Sequence, residues 1–199
     1  MSTVGEKVSN AGKLIRRTIG SALSGVHAGD EKIQVRQQGT RGSLTLTSTA
    51  FAAGGRIPDR FTPQGENVSP DLAWSGVPAG ARELVLIVED PDAPFPNPFV
   101  HWILYGLSPT VTSLPTGVPT TTERSQFGAA TQSTNDAKTV GYYGPQPPLG
   151  HGVHHYHFQL FALDTILGLG TQATVADLAK AMQGHVLADG EIVGTYERK

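Results

Sequence analysis

Three short segments of this 199-residue chain carry residue types that could do chemistry. The first is Asp90-Pro91-Asp92-Ala93-Pro94, which directly follows an apolar run ending at Glu89. A carboxylate at the end of a core strand is held in one direction and partly desolvated, which is how a functional carboxylate is positioned. Two prolines stiffen the turn, and one of them is a candidate for a cis peptide, because tight turns are where cis-proline occurs. Asp and Pro are also ordinary turn residues, so on this segment alone a site and a plain turn weigh equally. The second segment holds His101, between Val100 and Trp102. A lone strand histidine is more often a satisfied core or surface group. It gains weight only if its strand pairs with Leu84–Val88, for His101 could then approach Asp90, and the carboxylate would fix its tautomer and raise its basicity.

The third segment runs from Gly141 to Tyr156 and is dense in glycine and proline, with His151, His154 and His155 in it and His157 just beyond. Glycines let the backbone approach a ligand, prolines stiffen the loop, and backbone N–H groups of such a loop can point at an anion. Two readings compete, a metal site and an anion pocket. In a strand His155 and His157 share a face and could chelate a metal, with His154 opposite alongside Tyr156. The anion pocket is favoured, because Asp is the sole further ligand that can be placed nearby.

Strands must position these residues. Glu83–Glu89 is nearly continuous in apolar residues, as expected of a central strand, and Phe99–Tyr105 reads as a second. His155–Leu163 alternates as a third, and Glu191–Tyr196 closes the chain as a short strand. Leu44 and Leu46 alternate with Thr45 and Thr47 in a half-buried strand, 54–70 reads as loop, and 106–140 as a long polar loop. The spacing of Val175, Leu178, Met182 and Val186 predicts a helix over 174–188. Near the start, Val4, Val8, Ala11, Ile15, Ile19, Ala22 and Val26 fall on one helical face, opposite Lys13, Arg16 and Arg17. That helix over 1–28 is expected to dock on the domain or on a second subunit rather than lie in a membrane surface, since its apolar face lacks Trp and Phe. The expected division is therefore 1–42 as helix and linker and 43–199 as one domain. Without regular βαβ alternation or a Gly-rich phosphate loop, a mainly antiparallel β domain with peripheral helices fits best.

Composition narrows the function classes. Gly 24 and Pro 14 point to many turns and short strands. The formal net charge of −2, from 15 basic and 17 acidic residues, gives no global field for nucleic acid or an anionic membrane, so anion binding must be local. The absence of cysteine excludes disulfides, thiol catalysis and cysteine-ligated zinc. No stretch approaches the roughly 20 apolar residues that cross a bilayer, and basic residues interrupt every apolar run near the N-terminus, so a cytoplasmic location is expected.

Taken in order, the motifs resemble the phosphatidylethanolamine-binding protein family, in particular its bacterial Raf-kinase-inhibitor-like branch. The elements are Ser48–Phe51, Gly55–Pro58, Ser69–Trp74, Asp90–Pro94, His101-Trp102, Gly144-Pro145 with Pro147-Pro148, His154–Tyr156, Ala162–Asp164 and Gly194–Arg198. The resemblance covers about residues 43–199. It implies a Greek-key sandwich of two antiparallel sheets with a C-terminal helix, and a pocket for phosphate-type anions including phospholipid head groups. Carried over by motif, the ligand-binding residues would be Asp90, His101, the Gly144 N–H, His154 and Tyr156, with Trp102 and Pro94 lining or shaping the pocket. One departure is His155, where the family usually has Arg; any ion pair it supports would be weak at neutral pH.

A regulatory binding protein is the leading reading, with no cofactor, no metal and no catalytic residue expected. No activated nucleophile is evident, neither a cysteine nor a G-x-S-x-G elbow. The alternatives are a hydrolase using Asp90 and His101 as a base pair, or a protease or kinase inhibitor acting through loops such as 106–140. The N-terminal helix makes a homodimer plausible.

Overall fold

Central strands form where the chain is most apolar. The computed structural model describes residues 13, 17–33, 35, 42–120, 123–124 and 127–199. Within these, β1 (Gly42–Ser43), β2 (Thr45–Thr47), β3 (Leu72–Ser75), β4 (Glu83–Asp90) and β5 (Phe99–Leu107) come first. Then follow β6 (Ser113–Leu114), β7 (Glu123–Arg124), β8 (Gly128–Gln132), β9 (His154–Leu163), α1 (Val175–Met182) and β10 (Val186–Tyr196). The described strands make a seven-stranded sheet in the order β1-β10-β9-β4-β5-β8-β7, faced by a three-stranded sheet β2-β3-β6. All pairings are antiparallel except β1 with β10. The protein is thus the two-sheet, mainly β sandwich expected from the sequence.

β4 is buried along its whole length, so it can show no alternation; its even and odd residues serve two cores. Leu84, Leu86 and Val88 meet Trp74, Trp102 and Phe158 between the sheets. Val85 and Ile87 face outward and pack with Phe161 and with Leu178 and Met182 of α1. α1 starts on a capping box, Thr174 with Asp177, and gives way at Gly184, whose φ is 79°. The helix is therefore shorter than 174–188: Val186, which fits the helical period, is already in β10. The tract 106–140 is likewise not one loop, for it contains β6, β7 and β8. β8 (Gly-Ala-Ala-Thr-Gln) has almost no intrinsic strand signal and forms because β5 offers it an edge.

Of the N-terminal helix expected over 1–28, positions 1–12 and 14–16 lie outside the described residues; 17–22 are helical. Among the described residues no helix is long and apolar enough to cross a membrane.

Candidate functional site

A register shift aims the first histidine. Val88 pairs with Trp102 and Glu89 with Val100, so β5 carries one extra residue, His101, at this point. A bulge breaks strict alternation and re-aims a side chain. Trp102 and Leu104 face the core between the sheets, while Val100 and Ile103 face the outer core. His101 joins the Trp102 side instead of the side alternation would give it, and its ring lies 5.1 Å from that of Tyr156. β4 keeps its alternation, so Asp90 follows Val88 onto the same face, at the strand's end.

Asp90, His101 and His154 converge there, each buried. Asp90 Oδ1 accepts the Asp92 N–H at 2.9 Å, and Oδ2 accepts from His154 Nδ1 at 2.8 Å. His101 Nδ1 donates to the Tyr143 carbonyl at 2.6 Å, which fixes the tautomer and leaves Nε2 4.0 Å from Asp90 Oδ2. Burial holds the His101 imidazole below the ordinary histidine range; the nearby Asp90 charge opposes this without overcoming it. Both nitrogens of His154 are engaged, for Nε2 meets His151 Nδ1 at 2.7 Å.

These groups line a cavity of about 380 Å³, within the range of small-ligand sites. Asp90, His101 and His154 form its polar part. Phe95, Phe99 and Tyr143 make an aromatic wall, and Pro94, Gln146 and Pro147 complete the rim. The rings step inward: Phe95 lies 5.9 Å from Phe99, and Phe99 lies 4.8 Å from His101. Phe95 is 52% exposed, an apolar group left in water at the cavity mouth. A larger groove of about 720 Å³ passes Arg56, Tyr196 and Arg198, but much of its charge is spent internally, as in the Arg56–Asp59 and Lys199–Glu197 pairs.

Not every residue named from the sequence lies on the cavity. Trp102 is fully buried in the core, its Nε1 donating to Gln132 Oε1 at 2.7 Å. The Gly144 N–H donates to Asn67 Oδ1 at 2.9 Å and so faces away from any ligand in the cavity. Glycine is needed there for packing, since a Cβ would run into the Phe61 carbonyl oxygen. Tyr156 meets His101 edge-on and stacks beside His154; burial, reinforced by the Asp90 charge, holds its phenol proton on. No cis peptide occurs among the described residues, so both prolines of the Asp90–Pro94 turn are trans. His155 and His157 hold separate carboxylates rather than one shared site: His155 meets Asp92 through its N–H and Nδ1 at 2.8 and 2.7 Å, and His157 Nδ1 meets Glu191 at 2.8 Å. The His155 pair staples the Asp90–Pro94 turn to β9, from the position where the resemblance implies an Arg in other members of the family.

Sequence reasoning missed the aromatic wall and His151. Phe95 and Phe99 flanking a Pro-Asn-Pro stretch were a readable signal. His151 was not, because its partners are His154 and the Leu23 carbonyl, the latter 128 positions away.

Two sheets closing on an acid–histidine cavity at one end define a β-sandwich domain with a single-ended, aromatic-rimmed pocket. The chain belongs to the phosphatidylethanolamine-binding protein family, whose profile matches residues 47–197. It is 45% identical over 156 residues to a UPF0098 protein of Pyrococcus abyssi, covering 78% of this chain and 86% of that one. A UPF0098 protein of Methanothermobacter thermautotrophicus is also 45% identical, over 155 residues, covering 78% and 99%. Among solved structures, a putative phosphatidylethanolamine-binding protein homologue from Chlamydia trachomatis superposes with TM-score 0.71 at 40% identity, covering 79% of this chain and 99% of that one. E. coli YbcL, described as a member of the mammalian family, gives TM-score 0.71 at 30% identity, covering 79% and 100%.

Proposed function

We propose that this protein binds a phosphate-type anion, free or as a phospholipid head group, in the cavity between His101 and the aromatic wall, in a regulatory role. The observation that carries the reading is His101 itself. It is buried, its Nδ1 is fixed by the Tyr143 carbonyl, and its Nε2 is left for a ligand. An anion entering the cavity stabilises the imidazolium, which then gives a charge-assisted hydrogen bond. Since both His154 nitrogens are already engaged, one histidine rather than two supplies this donor. Phe95 and Phe99 suit an apolar portion attached to the head.

Binding then takes up a proton, because burial keeps the empty-site imidazole neutral. Affinity rises as pH falls below about 6.5, the ordinary histidine value. The test is calorimetry with inorganic phosphate and with a short-chain phosphatidylethanolamine, between about pH 5 and about pH 8. Tighter binding at low pH, lost in His101→Ala, is the expected result. Equal affinity across that range, or unchanged binding in the variant, refutes it. The source of the head group is decided by which of the two probes binds. An inhibitor acting through surface loops would keep its activity in His101→Ala.

A further inference from the structure

The segment 17–33 lies outside the family match, yet it is fastened to two loops whose neighbouring residues, Pro148 on one and Asp90 and Phe95 on the other, line the cavity. Gly20 is buried against the 149–151 turn, where a Cβ would run into the Leu149 carbonyl oxygen. Ser21 Oγ donates to the Gly150 carbonyl at 3.3 Å, and the Leu23 carbonyl meets His151 Nε2 at 2.7 Å. Farther on, the Gly29 N–H donates to the Pro91 carbonyl at 3.0 Å and Lys32 Nζ to that of Pro96 at 2.9 Å.

The Leu23 contact completes a row of three short links: Asp90 Oδ2 to His154 Nδ1, His154 Nε2 to His151 Nδ1, and His151 Nε2 to the Leu23 oxygen. Each link needs one proton between its atoms, and a backbone carbonyl supplies none. A carboxylate and two neutral imidazoles bring only two. With two, one link sets lone pair against lone pair inside a buried row, which is costly. Asp90, His154 and His151 must therefore hold a third proton together, whichever of them carries it. Asp90 and His154 are fixed on the paired strands of the large sheet, so when the third proton leaves, the link that gives is the one to Leu23.

We propose that 17–33 is a strap latched to the cavity wall by this shared proton, and that deprotonation releases it. The charged and titratable groups around the row act in both directions. Asp90 on β4 favours the proton. Arg198, whose carbonyl and guanidinium hold the 147–150 turn, and Arg17, whose stem packs on Gly150, oppose it. Lys13 borders the same turn and adds to that opposition. His101 on β5 and Tyr156 on β9 are neutral neighbours, and Asp92 is spent on His155. The latch stands whatever ligand the cavity takes.

Hydrogen exchange of the full chain, corrected for the intrinsic effect of pH, reads the strap through the amides of Leu23, Val26 and Gly29. One linked proton changes the docking constant by up to tenfold per pH unit, so strap protection falls at least tenfold from about pH 5.5 to about pH 8.5. Amides of β4 and β9 keep theirs. His151→Gln places an amide donor near the Leu23 carbonyl with no titratable proton, and its strap protection loses the row's share of the pH dependence, keeping only that of the longer His157 Nε2–Asp30 contact at 3.9 Å. Gly20→Leu cannot seat on the turn and leaves the strap unprotected at both values. Equal wild-type protection at both pH values overturns the latch, as does a wild-type pH dependence in His151→Gln or a protected strap in Gly20→Leu.

Discussion

Replacing Asn67 tests whether the cavity loop is clamped from behind. Asn67 has φ 54°, in the left-handed region, and its Oδ1 takes the N–H of buried Gly144, two residues before Gln146 on the cavity rim. Asn67→Ala loses on both counts. A side chain without a local hydrogen bond costs about 1–2 kcal/mol in that backbone region. Leaving a buried N–H without a partner costs about 1–3 kcal/mol more. Together about 2–5 kcal/mol is at stake, a large share of the roughly 5–15 kcal/mol that holds a domain folded. Asn67→Gly removes the backbone cost and keeps the hydrogen-bond loss, so it falls between. Asn67→Asp keeps an acceptor and tolerates the conformation, and it stays within about 1 kcal/mol of wild type. Urea denaturation of the three variants gives the order, with a midpoint for the alanine lower by about 1–2 M. Should aspartate be as damaging as alanine, or glycine as harmless as wild type, Gly144 is not clamped in this way. Should Asn67→Gly instead bind phosphate more tightly, its freed N–H is a ligand donor after all.

Two further outcomes follow from the buried polar groups. His101 is held below the ordinary histidine range in the folded state, so just below about pH 6.5 the unfolded chain binds the extra proton and the folded one does not. Its contribution to stability is therefore present above that value and lost as pH falls toward its folded value; denaturation at descending pH shows wild type losing stability relative to His101→Gln, and a difference that stays constant with pH refutes the assignment. Gln132 accepts from Trp102 Nε1 and donates to the Pro119 carbonyl at 2.8 Å, so Gln132→Ala leaves a buried indole N–H unpaired and a void beside it. A loss of about 2–4 kcal/mol in thermal or urea unfolding is expected.

What could be read from the sequence was what depends on burial alone. The runs that became β4, β5 and β9 are apolar enough that no partner needs to be known, and Asp90, His101 and His154 were legible as polar residues set into or beside such runs. The face His101 adopts was not legible, because a bulge is a property of two strands in register and a single strand shows only its own alternation. β8 was missed for a related reason: its residues have no preference to reveal, and β5 supplies the strand by pairing. Gly144 was misplaced because a glycine required for packing and one required for a ligand look the same until the neighbouring Phe61 carbonyl and Asn67 are in place. The helix over 174–188 ran too long since Val186 satisfies the helical period and the strand pattern at once.

A buried carboxylate at the polar end of the proposed anion pocket looks self-defeating, since a bare charge at Asp90 would repel the ligand. The hydrogen bonds remove the difficulty. Oδ1 is occupied by the Asp92 N–H and Oδ2 by His154, so both carboxylate oxygens are turned to donors within the protein, and the row continues through His151 to Leu23. Asp90 is then an anchor that orients the wall, and in the proposed binding His101, 4.0 Å away, is the group that meets the ligand. The division of labour has a measurable consequence. Asp90→Asn keeps the shape and supplies the third proton itself: its oxygen still accepts the Asp92 N–H, its amide donates to His154 Nδ1, and both imidazoles then complete the row while neutral, so the strap stays docked without its pH dependence. His101→Ala empties the pocket of its donor and leaves the strap in place. Phosphate affinity and the pH dependence of strap protection measured on the same two variants separate the roles, and a strap in Asp90→Asn that still loosens with rising pH as the wild type does would mean that the row does not share its proton with Asp90.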